Sequence, residues 1–233
     1  KKIWWKRELT PSGCQRKMLS FQAFFVTCTG LWTTERTYHS TLRGEVERSY
    51  TEFRVDPLTA VDKQKVLSLS QVNVATQAPS FDLVTLASDE TLCPGFSIAF
   101  DTRSEKGEQV SMSLKALFVP DRYLAAPFSD IPPPPLAAQV TTEPAGETIQ
   151  GFYLRDEGYS EAGAIAGRFT YQPTRQTLEM TTYYRRSCAV DQMRIIAPDL
   201  RLRTIVTYQR PKENVPPSVI DLVGFGVERK QPA

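Results

Sequence analysis

From Leu31 onward, short segments of this chain alternate apolar and polar residues with a period of two, and no other feature limits its fold so tightly. Successive side chains of a strand point to opposite faces, so this alternation marks strands with one buried face. Trp32 to Leu42 and Glu45 to Val55 read as a hairpin turning near Gly44. Phe96–Arg103 and Val110–Phe118 read as a second hairpin, with Ser104-Glu105-Lys106-Gly107 as its polar turn. In the second hairpin Ile98, Phe100 and Thr102 share a face, as do Val110, Met112, Leu114, Ala116 and Phe118. Further strands are expected at Thr148–Leu154, Ile165–Tyr171, Thr177–Arg186, Met193–Ile196, Leu200–Gln209 and Val219–Glu228. Many short strands with almost no helix predict an all-β meander closed into an antiparallel barrel. Closure leaves no exposed sheet edge.

Three regions interrupt the pattern. Residues 1–11 read as an irregular arm whose Trp4 and Trp5 lie among lysines. They could pack on the barrel, or meet a partner or a membrane surface. Ser12 with Gln15 suggests a helix N-terminus, and Met18, Phe21, Phe25 and Cys28 recur at helical spacing. A helix of about four turns ending near Gly30 is therefore expected, lying across the barrel or closing one end. Residues 57–95 fit short strands or an inserted helix. Residues 125–146 hold the run Pro132-Pro133-Pro134-Pro135, which cannot be a central strand. They read as an extended loop, with Pro133 and Pro134 as candidate partner contacts in a polyproline conformation. The whole of 12–230 is expected to form one domain.

Composition excludes several chemistries. A single histidine, His39, nearly excludes a Ser-His-Asp triad or a histidine-rich metal site. Cys14, Cys28, Cys93 and Cys188 form no C-x-x-C pair, so zinc and a disulfide framework are not expected. The net charge of +2 carries no strong pull toward nucleic acid. No run approaches the ~20 apolar residues of a membrane-spanning helix.

The segment Pro198-Asp199-Leu200-Arg201-Leu202-Arg203 carries the sharpest ambiguity. By pattern alone its leucines point into the core and its arginines into water.

A G-x-W segment and four family motifs in order turn that ambiguity toward function. Gly30-Leu31-Trp32 is a G-x-W segment resembling the lipocalin opening, where the tryptophan plugs the barrel base. Trp32-Thr33-Thr34-Glu35-Arg36-Thr37-Tyr38-His39 resembles the W-x-S-Q-R-T-x-H-H start of the S-type phycobiliprotein lyases, the bilin lyases called CpcS or CpeS. Leu154-Arg155-Asp156-Glu157-Gly158-Tyr159 is similar to their L-R-x-x-G-Y. Ala166-Gly167-Arg168-Phe169 matches A-G-R-F, and Pro198–Thr204 is close to P-N-L-R-L-R-T. The resemblance covers roughly 21–54 and 151–230. Ser40 stands where the family has a second histidine, and Met193–Ala197 departs from the family's W-F.

The resemblance implies a lipocalin-like barrel of about ten strands. It also implies an open-chain tetrapyrrole as ligand, phycocyanobilin or phycoerythrobilin, with no further cofactor and no metal. The pigment would be attached to a cysteine of a phycobiliprotein subunit, so the nucleophile belongs to the acceptor and no catalytic residue is assigned here. The alternative it implies is a non-catalytic scaffold in a photosystem or phycobiliprotein light-harvesting complex; a general lipocalin-type carrier is a third reading. The implied location is the plastid stroma or stromal thylakoid face of an alga, or the cyanobacterial cytoplasm. Candidate pigment contacts are Arg201 first, then Arg203, Arg36, His39, Arg155, Phe100 and Asp101. Gly30, Trp32, Tyr159 and Arg168 are candidate structural residues.

Overall fold

The computed structural model describes residues 18–72, 79–82, 86, 93–139, 148–159 and 161–232, with the backbone alone for 70–72. Ten antiparallel strands follow one another round a closed barrel, and the first pairs with the last. They are β1 (Gly30–Ser40), β2 (Glu45–Pro57), β3 (Gly95–Ser104), β4 (Gln109–Pro120), β5 (Ile149–Arg155), β6 (Ile165–Gln172), β7 (Thr177–Tyr183), β8 (Ser187–Ala197), β9 (Leu200–Gln209) and β10 (Ile220–Lys230). The expected all-β barrel is thus present. Most strand bounds match the alternation, but β8 is far longer than Met193–Ile196. Its outer face packs Cys188 and Val190 against Tyr208, so both faces are apolar in places and the alternation is blurred.

Helix α1 (Phe21–Cys28) plugs the base. It is two turns long rather than four, because Ser20 caps it. The Ser20 hydroxyl accepts from the Ala23 N–H at 3.2 Å, satisfying an N-terminal donor of the helix. The Ser12–Gln15 cap lies outside the described residues. Phe21, Phe24, Phe25 and Cys28 are buried, while Met18 is exposed. Phe21 stacks on Phe169 at 5.3 Å, Phe25 meets Phe118 at 4.7 Å and Phe24 meets Tyr171 at 5.1 Å. Trp32 is fully buried beside them and donates its indole N–H to the Cys28 carbonyl at 2.9 Å. The base is therefore a packed aromatic core.

Residues 57–95 contain a helix, α2 (Ala60–Val72), capped reciprocally by Thr59 and Asp62. Leu58 and Val66 of this region cover Leu117, Val119, Phe152 and Leu154 on the outer wall of β4 and β5. That second apolar face explains why β4 and β5 end in unbroken apolar runs. The proline run is docked on its own barrel rather than projecting. The Tyr183 hydroxyl donates to the Pro132 carbonyl at 3.1 Å, and the Gln192 amide to the Ala137 carbonyl at 3.1 Å. The Ala137 N–H donates to the Tyr208 hydroxyl at 3.2 Å. No described helix is long and apolar enough to cross a membrane.

Candidate functional site

The alternation of β9 is regular, but its sign is the reverse of the apolar-in rule. Arg201 is 2% exposed and Leu202 is 38% exposed. On β10, Phe225 and Val227 point outward, at 53% and 44% exposed, while Gly224, Gly226 and Glu228 point inward. The inner wall between base and mouth is thus polar on β1, β8, β9 and β10. The two glycines make this geometry feasible. A Cβ at Gly224 would lie 2.6 Å from the Tyr38 ring, and one at Gly226 3.0 Å from Arg36 Cγ. Removing both β-carbons lets those long side chains lie across the strand.

Glu228 is the centre of the cluster. It is fully buried, receives Arg201 Nε in a short hydrogen bond, and lies 3.1 Å from Arg36 Nη2 and 3.7 Å from Arg203 Nη1. Burial would raise its carboxyl, but Arg201, Arg203 and Arg36 outweigh that and hold it at about 2. Arg203 also forks onto Asp191, with Nε 2.8 Å from Oδ1 and Nη2 on Oδ2. Arg201 lies 4.5 Å over Trp32 and 5.4 Å over Phe53, its guanidinium against the aromatic floor. Such ions each cost several kcal/mol to desolvate, so an unpaired one would be expensive.

Arg155, from the end of β5, reaches the same interior and is 1% exposed. Among the described residues it pairs with no carboxylate; it donates to the Tyr184 hydroxyl at 2.7 Å and lies among the rings of Tyr153, Tyr159 and Tyr184. Among the described residues of this cluster the four guanidiniums face two carboxylates, Glu228 and Asp191, leaving two positive charges in excess. Two of the guanidiniums, Arg36 and Arg155, each have a buried Nε with no hydrogen-bond partner among the described residues. Just above the aromatic base a small cavity of about 20 Å³ is lined by Cys28, Ile98, Tyr153, Tyr159, Arg201 and Arg203 among others. The Cys28 thiol is pushed up by burial against an opposing effect of Arg201, so it is no ready nucleophile.

The structure therefore brings Arg36, Arg201 and Arg203 together through Glu228, and places Phe100 on the inner wall at 6.0 Å from Tyr159. Two expected contacts lie elsewhere. His39 sits between inward-facing Tyr38 and Ser40, so it points outward, exposed and stacked on Phe225 at 6.1 Å. Asp101 likewise follows inward-facing Phe100 and accepts from the Ser111 hydroxyl on the outer wall. Arg168 is also outside, forked onto Asp121 at 2.7 and 2.6 Å over the Phe152 ring. Gly30 has φ of +118°, which glycine tolerates, two residues before Trp32. Pro133 is half-buried and Pro134 exposed; Trp4 and Trp5 lie outside the described residues.

Sequence reasoning missed Glu228, Asp191, Tyr153 and Tyr184. The signal for Glu228 was present: Gly224-Phe225-Gly226-Val227-Glu228 alternates tiny and large side chains, and glycine repeated on one strand face marks crossing side chains.

A family model described as CpeS-like protein matches residues 20–122 and 137–230. The chain belongs to the CpeS-like family. This CpeS-like protein is 41% identical, over 90% of its length and 96% of the relative's, to a protein of Synechococcus sp. (strain JA-3-3Ab) named chromophore lyase CpcS/CpeS 1. It is 25% identical, over 80% of its length and 79% of the relative's, to chromophore lyase CpcS/CpeS 2 of Synechocystis sp. (strain ATCC 27184 / PCC 6803 / Kazusa). Its fold is shared with the S-type phycobiliprotein lyase CPES from Guillardia theta, at a TM-score of 0.59 and 16% identity, covering 92% of this chain and 94% of that one.

Proposed function

We propose that the protein holds an open-chain tetrapyrrole in the polar half of its barrel and promotes its attachment to a cysteine of a phycobiliprotein subunit. The observation that carries this reading is the inward excess of two positive charges, with an unpartnered Nε on Arg36 and on Arg155. Burying uncompensated guanidiniums destabilises a fold, so a binding role gives the best account of them. The two propionates of a bilin supply the matching charge, and carboxylates take guanidinium forks. Asp191, held by Arg203, is the candidate acceptor for pyrrole N–H groups. Phe100, Tyr153 and Tyr159 supply aromatic faces for conjugated rings.

The reaction adds the acceptor's thiol across one double bond of the pigment. A carbon–sulfur bond forms, the thiol proton's equivalent ends on the pigment, and nothing leaves. The protein's part is positioning, which requires no nucleophile of its own. Phycocyanobilin mixed with the purified protein should give a red-shifted absorption band. Addition of an acceptor subunit should then leave pigment on the acceptor after denaturation. Neither shift nor transfer would sink this reading.

A second reading, a non-catalytic scaffold, is favoured by the small size, about 20 Å³, of the cavity against Arg201 and Arg203. The self-docked proline segment removes one of the surfaces that reading relies on. In the same experiment a scaffold would bind no pigment.

A further inference from the structure

Helix α1 packs beside Trp32 at the start of β1, so the aromatic base fills the end of the barrel at which the odd-numbered strands begin. The opposite end is rimmed by the β1–β2, β3–β4, β5–β6, β7–β8 and β9–β10 connections. Charge is unevenly spread along that rim. The β7–β8 turn carries Arg185 and Arg186, and the β9–β10 loop carries Arg210 and Lys212; all of them are exposed. Glu213 is the one acid in those two connections. The other connections differ. Arg43 of the β1–β2 turn lies 3.7 Å from Glu45. The β3–β4 turn sets Glu105 and Glu108 against Lys106, and residues 156–164 hold Asp156, Glu157 and Glu161 with no base. Unbalanced positive charge is thus confined to one arc of the rim.

Hydrogen bonds make that arc one body. The Arg210 N–H donates to the Arg186 carbonyl at 2.9 Å, and the Arg210 guanidinium to the Tyr184 carbonyl at 2.8 Å. The Tyr184 N–H donates to the Ser187 carbonyl at 2.8 Å, closing the β7–β8 turn, and the Gln209 N–H to the Val219 carbonyl at 2.8 Å, closing the β9–β10 loop. Arg185 is held by Glu161, which accepts its N–H at 2.6 Å and lies 3.8 Å from its guanidinium. Among the described residues Arg186, Arg210 and Lys212 pair with no carboxylate.

We propose that this arc is where the acceptor subunit docks, and that it takes an acidic surface beside the acceptor's cysteine. The proposal deepens the functional reading above and rests on it. The thiol has to reach a pigment held above the filled base, so the acceptor's surface around that cysteine meets the rim. Exposed cations without carboxylate partners attract an anionic surface from beyond contact and repel a basic one. Since the other connections carry paired or acidic charge, the attraction also selects one orientation. The strands below the arc include β8 and β9, which carry Asp191 and Arg203. The net charge of the whole chain is only +2, so the arc is a local feature and not the broad basic face that nucleic acid requires.

Arg186→Glu with Lys212→Glu reverses two charges of the arc and leaves the Arg210 hydrogen bonds and the pigment site in place. Surface plasmon resonance of an unpigmented phycobiliprotein subunit with the pigment-free full chain gives the test. At low salt the reversed variant should associate about 10-fold more slowly than the parent or worse. The two rates should converge toward ~1 M salt, where screening acts within about 3 Å. Arg186→Lys with Lys212→Arg keeps the charge and should match the parent. Unchanged association in the reversed variant, or a loss that persists at high salt, would overturn the docking arc. So would a parent that binds a short DNA duplex and not the subunit. Phycocyanobilin tests the functional reading separately, and should give the same red-shifted band with parent and reversed variant. A parent without the band sinks that reading and the docking arc with it. A band lost from the variant alone would put these residues at the pigment and overturn the arc.

Discussion

At the scale of single residues, the inward arginines divide into two kinds. Arg201 is committed to Glu228 and to the Trp32 and Phe53 rings, so it holds the floor of the polar half. Removing it leaves Glu228 with fewer cations in a fully buried place. Arg201→Ala should therefore destabilise by about 3–5 kcal/mol, as for a broken buried ion pair. Urea unfolding would show this; a cost under about 1 kcal/mol would remove Arg201 from the structural framework. Among the described residues Arg155 has no carboxylate to orphan. Arg155→Gln should change stability little while weakening phycocyanobilin binding about 10- to 100-fold, the worth of a charge-assisted hydrogen bond. Equal affinity in a spectroscopic titration would exclude Arg155 as a pigment contact.

At the scale of elements, the period of each strand was legible in the sequence, but the sign was not always. Alternation in β3, β4 and β7 put Ile98, Leu114 and Met180 inward, where they are. In β9 and β10 the same rule fails, because the interior there is polar and the leucine, phenylalanine and valine side chains face out. A binary pattern identifies the two faces of a strand without saying which is enclosed. The family motif at Pro198–Thr204 was the feature that pointed Arg201 inward. Glu228 and Asp191 lay outside every motif, so their pairing required the fold. Leu202→Thr tests the sign: on an outward face it should alter stability by no more than about 0.5 kcal/mol. A cost of 2 kcal/mol or more in denaturant melts would contradict the register. Gly167, in the A-G-R-F motif, tests the opposite constraint. A Cβ there would lie 2.4 Å from the Thr181 carbonyl oxygen, which is backbone. Gly167→Ala should cost about 1–3 kcal/mol or more, because β6 and β7 would have to separate.

At the scale of the whole molecule, two buried glutamates on opposite sides of the wall give the barrel opposing responses to pH. Glu228, inside, is held at about 2 by its arginines against the cost of burial. Its contribution is fully present above the unfolded value of 4.5 and is lost as pH falls through about 2. Glu179 lies on the outer wall, 3% exposed, in a groove it shares with Gln139 and Gln192. Burial pushes its carboxyl up to about 7, against the lowering effect of the Thr181 hydroxyl. Between 4.5 and about 7 the folded chain holds a proton at Glu179 that the unfolded chain has released. Stability from this group therefore falls as pH rises across that window, by about 3 kcal/mol at most. Glu179→Gln keeps the shape and removes the charge. It should leave stability near the parent's at pH 5 and exceed it by up to about 3 kcal/mol at pH 8. Thermal melts of both proteins from pH 5 to 8 give the difference directly. A difference that stays flat across that range would mean Glu179 is already ionised throughout, with a cation or water compensating its burial.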